Sequence, residues 1–240
     1  VKVDILNVPF DNYTESEFIA KFQERIEQQQ KTLVVTANPE IVMYAKETPK
    51  YQKLLLNEAD YITADGIGVI KAGQMLKTPI KERVTGYDLF LALLNLANQK
   101  KLSVYLVGAK QEIIELAVQR IAEDYPDIQL VGYHNGYFDI EDLTIQTDII
   151  DKAPDMVFAA LGFPKQEYFL TGLKHQLDKG YLMGIGGSFD VFSGVTKRAP
   201  VWMQRLHLEW FYRLLKEPTR FKRMLVLPKF IQEVKKVGKG

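Results

Sequence analysis

Cysteine is absent from the 240 residues, and histidine occurs three times, at His134, His175 and His207. The first absence excludes thiol catalysis, a disulfide scaffold, thiolate-held zinc and iron–sulfur clusters. The three histidines are too scattered for HExxH or HxH spacing, so no histidine-held metal is expected. There is no Asp-x-Asp triplet to hold a magnesium-bound nucleotide sugar and no Gly-x-Ser-x-Gly elbow to present a nucleophilic serine. Long apolar stretches are missing as well. The longest, Leu89 to Leu94, is far too short to span a bilayer. Val1 to Phe10 lacks the basic start and apolar run of a secretory leader. Internal repeats, low-complexity segments and Gly/Ser linkers are also lacking, and a soluble, cytoplasmic chain is expected.

What is present is ordinary in amount and uneven in placement. Hydrophobic residues make up 47% and charged residues 25%, values of a globular protein with a real core. Of 31 basic and 30 acidic residues, 12 and 3 fall after Val195, leaving 19 and 27 before it. The body therefore carries a net charge near −8 and the end near +9. This divides the chain into an α/β domain, residues 1–195, and a basic appendage, residues 196–240. A basic end on an acidic body calls for an anionic partner: a membrane surface, a nucleic acid or a diphosphate.

Up to about Gly187, short apolar runs alternate with segments of helical period. Val3–Val8, Thr32–Thr36, Tyr61–Thr63, Ser103–Val107, Gln129–Gly132, Met156–Ala160 and Tyr181–Ile185 are expected strands, several apolar on both faces. Thr14 and Glu17 have capping-box spacing ahead of Phe18, Phe22 and Ile26, and Asn38-Pro39-Glu40 offers a second helix start. Tyr87–Gln99 and Gln111–Asp124 read as further helices. Such alternation predicts a Rossmann-like, mostly parallel sheet with helices on both faces and any ligand beyond the carboxyl ends of the strands.

The loops after those strands hold the candidate chemistry. Asp65, in Thr63-Ala64-Asp65-Gly66-Ile67-Gly68, is placed at the sheet edge, where a carboxylate can act as a general base; aspartate before glycine is equally ordinary turn chemistry. Lys71 stands where a dinucleotide fingerprint needs a third glycine, so a Rossmann dehydrogenase is not supported. In Gly184-Ile185-Gly186-Gly187-Ser188-Phe189-Asp190, the N–H groups of Gly186 and Gly187 can form an anion nest and Asp190 can accept from a ribose or base. Lys165, Gln166 and Glu167 bring a cation, an amide and an acid to a helix start, suited to sugar hydroxyls and phosphate or to nothing more than a solvated first turn. Arg83 is a candidate phosphate fork with the same ambiguity.

Beyond Pro200, Trp202, Leu206 and Trp210 recur every four residues among Arg205, Arg213 and Lys216, and Phe221, Met224, Leu225 and Leu227 among Arg220, Lys222 and Arg223. Two cationic amphipathic helices broken at Pro218 are expected. They either lie in a membrane interface or pack on the body or a second copy. Arg213, Arg220 and Arg223 can converge on a phosphate or a lipid headgroup, or act only as general charge. Nucleic acid is disfavoured as a partner by the acidic body.

Taken in order, Thr36-Ala37-Asn38-Pro39-Glu40, Ala64-Asp65-Gly66-Ile67-Gly68, Arg83-Val84-Thr85-Gly86, Leu161-Gly162-Phe163-Pro164-Lys165-Gln166-Glu167, Gly184 to Asp190 and Arg198-Ala199-Pro200 resemble the WecG/TagA/CpsF glycosyltransferase family. Glu209 to Leu214 and Glu217-Pro218-Thr219-Arg220 resemble its closing segment. The resemblance implies an inverting, metal-independent and cofactor-free transfer from a UDP-sugar to a polyprenyl-diphosphate-linked acceptor by a peripheral protein on the inner face of the membrane. The nearest type uses UDP-N-acetylmannosamine and undecaprenyl-diphosphate N-acetylglucosamine, making the linkage disaccharide of wall teichoic acid, and is compatible with a homo-oligomer. It implies Asp65 as catalytic base, Thr36, Asn38, Arg83 and Gln166 as substrate-binding residues, and Arg213, Arg220 and Arg223 as the acceptor-diphosphate arginines. Gly66, Lys165, Gly186, Gly187 and Asp190 complete the substrate-binding set from the loop readings. Gly108-Ala109-Lys110-Gln111-Glu112 departs from the family, many of whose members continue Lys-Pro-Gly. A different UDP-sugar donor, a soluble sugar-nucleotide hydrolase or epimerase, and a non-catalytic adaptor are the alternatives.

Overall fold

Strands that are apolar on both faces need cover on both sides, and this requirement organises the molecule. The computed structural model describes residues 2–141, 143–206, 208–216 and 225–238, the side chain of Arg213 excepted. Six strands form one sheet: β3 (Thr32–Ala37), β4 (Tyr61–Ala64), β5 (Ser103–Gly108), β6 (Gln129–His134), β7 (Met156–Ala160) and β8 (Tyr181–Gly184). Their order is β4-β3-β8-β7-β5-β6 and each neighbouring pair runs parallel, as the alternating pattern predicts.

Successive strand residues point to opposite faces. Val34, Val104, Leu106, Met156, Phe158 and Met183 meet α1 (Glu15–Glu27), α5 (Gly86–Lys100), α6 (Gln111–Asp124) and α9 (Ser188–Phe192) on one face. On the other face, Val35, Ala37, Ile62 and Ala64 meet α2 (Pro39–Glu47), α3 (Pro49–Asn57) and α4 (Ile67–Met75). Leu33, Tyr105, Val107, Val157 and Leu182 complete that face against α7 (Leu143–Lys152) and α8 (Lys165–Gln176).

Local chemistry sets the helix starts. Thr14 and Glu17 form the expected capping box of α1, Asn38 Oδ1 accepts from the Ile41 N–H at the start of α2, and Thr85 Oγ1 accepts from the Asp88 N–H of α5. The Thr85 cap starts α5 one residue before the predicted Tyr87.

The strand predicted over Val3–Val8 is instead a hairpin of β1 (Lys2–Ile5) and β2 (Val8–Asp11). Leu6 and Asn7 both take positive φ, 54° and 65°, and turn the chain back on itself in the two-residue manner that suits a twisted hairpin. The hairpin lies beside β4, and Asp11 Oδ2 accepts the Ile62 N–H at 2.9 Å, covering part of that edge strand.

The basic end forms α10 (Val201–Arg205), α11 (Glu209–Lys216) and α12 (Val226–Val237) among the described residues. α12 packs on α2 and α4, with Phe230 and Val234 fully buried in the core and Lys46 paired with Glu233. By contrast, Val201, Trp202, Leu206, Trp210, Phe211 and Leu215 of the α10–α11 segment are exposed.

Candidate active site

The carboxyl ends of β4, β3, β8 and β7 open into a cleft of about 370 Å³, within the usual range for small-molecule sites. Thr36 and Asn38 enter from β3, Asp65 and Gly66 from β4, Gly186 and Gly187 from β8, and Gln166 from the first turn of α8. Arg83 and Gly86 come from the approach to α5; Arg198, Glu209, Trp210 and Leu227 close the cleft from the basic end.

Asp65 is held at both ends. Its N–H donates to Ala37 O at 2.9 Å, and its Oδ2 accepts the Gly86 N–H, 3.3 Å away, at the N-terminus of α5. That helix end carries partial positive charge and favours a negative carboxylate beside it. Gly66 lets the chain turn from Asp65 into α4 with φ of +125°, a conformation that glycine adopts at little cost. A Cβ on Gly86 would stand 3.0 Å from Thr36 Oγ1, so the α5 start and β3 approach closely there. Thr36 Oγ1 donates to Gly184 O, and the Asn38 carbonyl oxygen serves the α2 cap, which leaves Nδ2 as the donor of that side chain.

Gln166 is buried and bridges two elements: its Oε1 accepts the Gly186 N–H at 3.1 Å and its Nε2 donates to Glu167 Oε1 at 2.8 Å. The anion nest predicted at Gly186 and Gly187 is accordingly reduced, since the Gly186 N–H already has an acceptor and the Ser188 N–H donates to Ile185 O. Gly187, beside Gly186, also lines the cleft. A Cβ on Gly184 would lie 2.5 Å from Gln166 Nε2, so glycine there makes room for the amide.

Four charged side chains line up across the mouth. Arg198 grips Asp88 with Nη1 and Nη2 at 2.7 and 3.1 Å and donates from Nε to Glu209 Oε1 at 3.0 Å; Glu209 Oε2 accepts from Arg83 Nη2 at 3.0 Å. Burial pushes the Glu209 carboxyl up, but Arg198 and Arg83 outweigh it and hold the group below the usual carboxylate range. Asp88 is likewise raised by burial and lowered by more through Arg198, Thr85 and Arg83. The row joins α5, the segment before it, the segment after α9, and α11. In the sequence, Arg198 and Glu209 stand out only as parts of the Arg198-Ala199-Pro200 and Glu209 to Leu214 motifs. A usable signal was there, since Glu209 is one of 3 acids among 12 basic residues of the end and an acid so placed needs partners.

Two predicted residues stand elsewhere. Lys165 Nζ donates to Gly136 O and Phe138 O at 3.1 and 2.9 Å and sits 4.6 Å from the Phe138 ring centre, tying α8 to the loop after β6. It leaves the cleft because those loop carbonyls, on the far side of β7, are its acceptors. Asp190 lies on α9 outside the cleft lining. Arg213 belongs to α11 with its side chain outside the described residues; Arg220 and Arg223 lie outside them altogether. Among the described residues no group of three or more His, Asp or Glu side chains is placed to hold a metal ion.

The profile of the Glycosyl transferase WecG/TagA/CpsF family matches residues 3–238. The chain belongs to this family. Its relatives include a Bacillus spizizenii protein 44% identical over 215 residues, covering 88% of this chain and 81% of its own. A Bacillus subtilis protein is 43% identical over 238 residues (98% and 92%), and a Staphylococcus aureus protein 39% identical over 237 (98% and 92%). All three are named N-acetylglucosaminyldiphosphoundecaprenol N-acetyl-beta-D-mannosaminyltransferase. The expected family is thereby borne out, and in this WecG/TagA/CpsF member Thr36, Asn38, Asp65, Gly66, Arg83, Gln166, Gly186 and Gly187 line one cleft.

Proposed function

We propose that this protein transfers N-acetylmannosamine from UDP-N-acetylmannosamine to N-acetylglucosaminyl-diphosphoundecaprenol, the step that makes the linkage disaccharide of wall teichoic acid. The observation that carries the reading is the similarity, at 39–44% identity, to proteins named for N-acetylmannosaminyl transfer to N-acetylglucosaminyldiphosphoundecaprenol. Asp65, at the floor of the cleft, gives it a mechanism.

Asp65 takes the proton from the acceptor hydroxyl, the 4-hydroxyl of N-acetylglucosamine. The oxygen attacks the anomeric carbon as the bond to the UDP oxygen breaks on the opposite side, and UDP leaves with the electron pair. A single displacement inverts the anomeric centre. Positioned general-base help of this kind is worth about 10²- to 10⁴-fold. Charge on the leaving diphosphate is met by the Gly187 N–H and by Arg83, and the acceptor's diphosphate by the arginines of the basic end, Arg213, Arg220 and Arg223, without a metal or other cofactor. Thr36, Asn38 and Gln166 offer hydroxyl and amide groups to the sugar and nucleotide.

The acceptor is a lipid, and the exposed Trp202, Leu206, Trp210, Phe211 and Leu215 lie in the basic end beside the cleft. This supports peripheral binding to the inner face of the membrane. No helix among the described residues is long and apolar enough to cross it. The same exposed face could instead pair two copies of the chain.

The test is UDP release from UDP-N-acetylmannosamine in EDTA, with and without a short-chain lipid-diphosphate N-acetylglucosamine acceptor. Release that needs the acceptor and survives EDTA is the expected result. Acceptor-independent release would indicate a hydrolase, and no release with a panel of UDP-sugars would point to a non-catalytic adaptor.

A further inference from the structure

Directly behind Gln166 lies a titratable group that the transfer mechanism leaves unused. Glu167 is buried, and its carboxyl faces Tyr51 of α3, with Tyr168 of α8 beside it and Tyr44 of α2 packed on the Tyr51 ring. Phe163 packs against Tyr44 and Tyr51 with ring centres 4.9 and 5.6 Å away, sealing the box on the cleft side. One oxygen, Oε1, accepts from Gln166; the other, Oε2, and the Tyr51 hydroxyl facing it make no hydrogen bond within ordinary geometry. Burial pushes the carboxyl up to about 7, with the hydrogen bond from Gln166 the strongest pull the other way.

A buried carboxyl held by a neutral amide rather than by a cation is costly, and leucine or methionine would fill the space more favourably. Its geometry toward Gln166 supplies a reason for it. A glutamine amide has a donating end and an accepting end, and nothing in its shape tells them apart. Here the Gly186 N–H demands the oxygen at one end, and Glu167 demands the nitrogen at the other. Gly184 leaves the amide nitrogen room to reach Glu167. With both ends assigned, the second amide hydrogen and the second carbonyl lone pair of Gln166 are presented in a fixed order.

We propose that Glu167 is a positioning residue that fixes the orientation of the Gln166 amide, so that Gln166 meets a nucleotide-sugar donor already set. The role rests on the reading of this cleft as a UDP-sugar site. It needs only one accepting oxygen at Oε1, which a glutamine in place of Glu167 can also provide.

The test compares Glu167→Met, Glu167→Gln, Gln166→Ala and the Glu167→Met/Gln166→Ala pair by calorimetric binding of UDP-N-acetylmannosamine and by thermal unfolding. Glu167→Met should bind about tenfold more weakly, the loss of roughly one well-placed hydrogen bond, while melting no lower than wild type. Glu167→Gln should recover binding to within about threefold, and the double variant should bind no worse than Gln166→Ala. Wild-type affinity in Glu167→Met, an undiminished loss in Glu167→Gln, or additive losses in the double variant would overturn the role. A second readout needs neither ligand nor variant. In 15N spectra of the free wild-type protein, the two Gln166 side-chain N–H signals should be sharp and well separated; a merged pair overturns the proposal. A protein that passes this spectroscopic test but binds no UDP-sugar would retain the amide lock and lose the functional reading of the cleft, which separates the two failures.

Discussion

Removing the Glu209 carboxylate should unlatch the basic end from the cleft, with a size that follows from the geometry. Glu209→Ala deletes the shared acceptor of Arg83 and Arg198, each 3.0 Å away, and leaves the two guanidiniums facing each other. Breaking a fully buried pair costs roughly 3–5 kcal/mol. The Arg83 and Arg198 side chains are 20% and 23% exposed, so water recovers part of this and about 2 kcal/mol is expected. For a chain of this size that lowers Tm by about 4–8 °C. The pH dependence has a defined sign. Glu209 and Asp88 are both held below their ordinary values in the folded protein. Their contribution is therefore complete above the usual carboxylate range and fades as pH falls through the folded values. Calorimetric melting of wild type and Glu209→Ala at neutral pH, and again well below pH 4, measures both effects. The difference should be largest at neutral pH and shrink in acid. Equal Tm values at neutral pH, or a gap that widens in acid, would refute the reasoning.

Three further changes separate the parts of the account. Gly184→Ala puts a methyl 2.5 Å from Gln166 Nε2 and should destabilise the protein by about 1–3 kcal/mol in urea unfolding while weakening donor binding, because the amide must move. Lys165→Met loses two donated bonds to Gly136 and Phe138 and should cost about 1 kcal/mol with donor affinity unchanged; a large drop in affinity would return Lys165 to the cleft. Phe230→Ala empties a fully buried ring position where α12 sits on α2 and α4 and should cost about 3–5 kcal/mol in chemical unfolding, whereas a solvated tail would cost almost nothing.

Much of the parallel sheet was legible because β3, β5, β7 and β8 are apolar on both faces, a pattern produced by covering helices. The position of the cleft followed from the same rule, since residues just after such strands share one edge. Thr36, Asp65, Gln166 and Gly187 are over a hundred residues apart at the extremes and still meet there. The hairpin turn was illegible because Leu6-Asn7 contains no glycine, and leucine seldom takes a positive φ. The direction of Lys165 was hidden too: a helix start allows the side chain to reach either the cleft or the loop after β6, and the choice depends on carbonyls 27 and 29 residues away. Arg83 and Glu209 are 126 residues apart, so no spacing rule pairs them. The burial of Phe230 and Val234 follows an amphipathic period that was visible for the basic end as a whole, but a period does not say what covers it.

The role of Asp65 is tested most directly by replacing its carboxylate with an amide of the same shape. Acceptor-dependent UDP release by Asp65→Asn, at saturating UDP-N-acetylmannosamine and with folding checked by circular dichroism, should fall about 10²- to 10⁴-fold below wild type, since the amide accepts the Gly86 N–H but cannot take a proton from the acceptor hydroxyl. Turnover within about threefold of wild type would contradict the account and place the base elsewhere in the cleft.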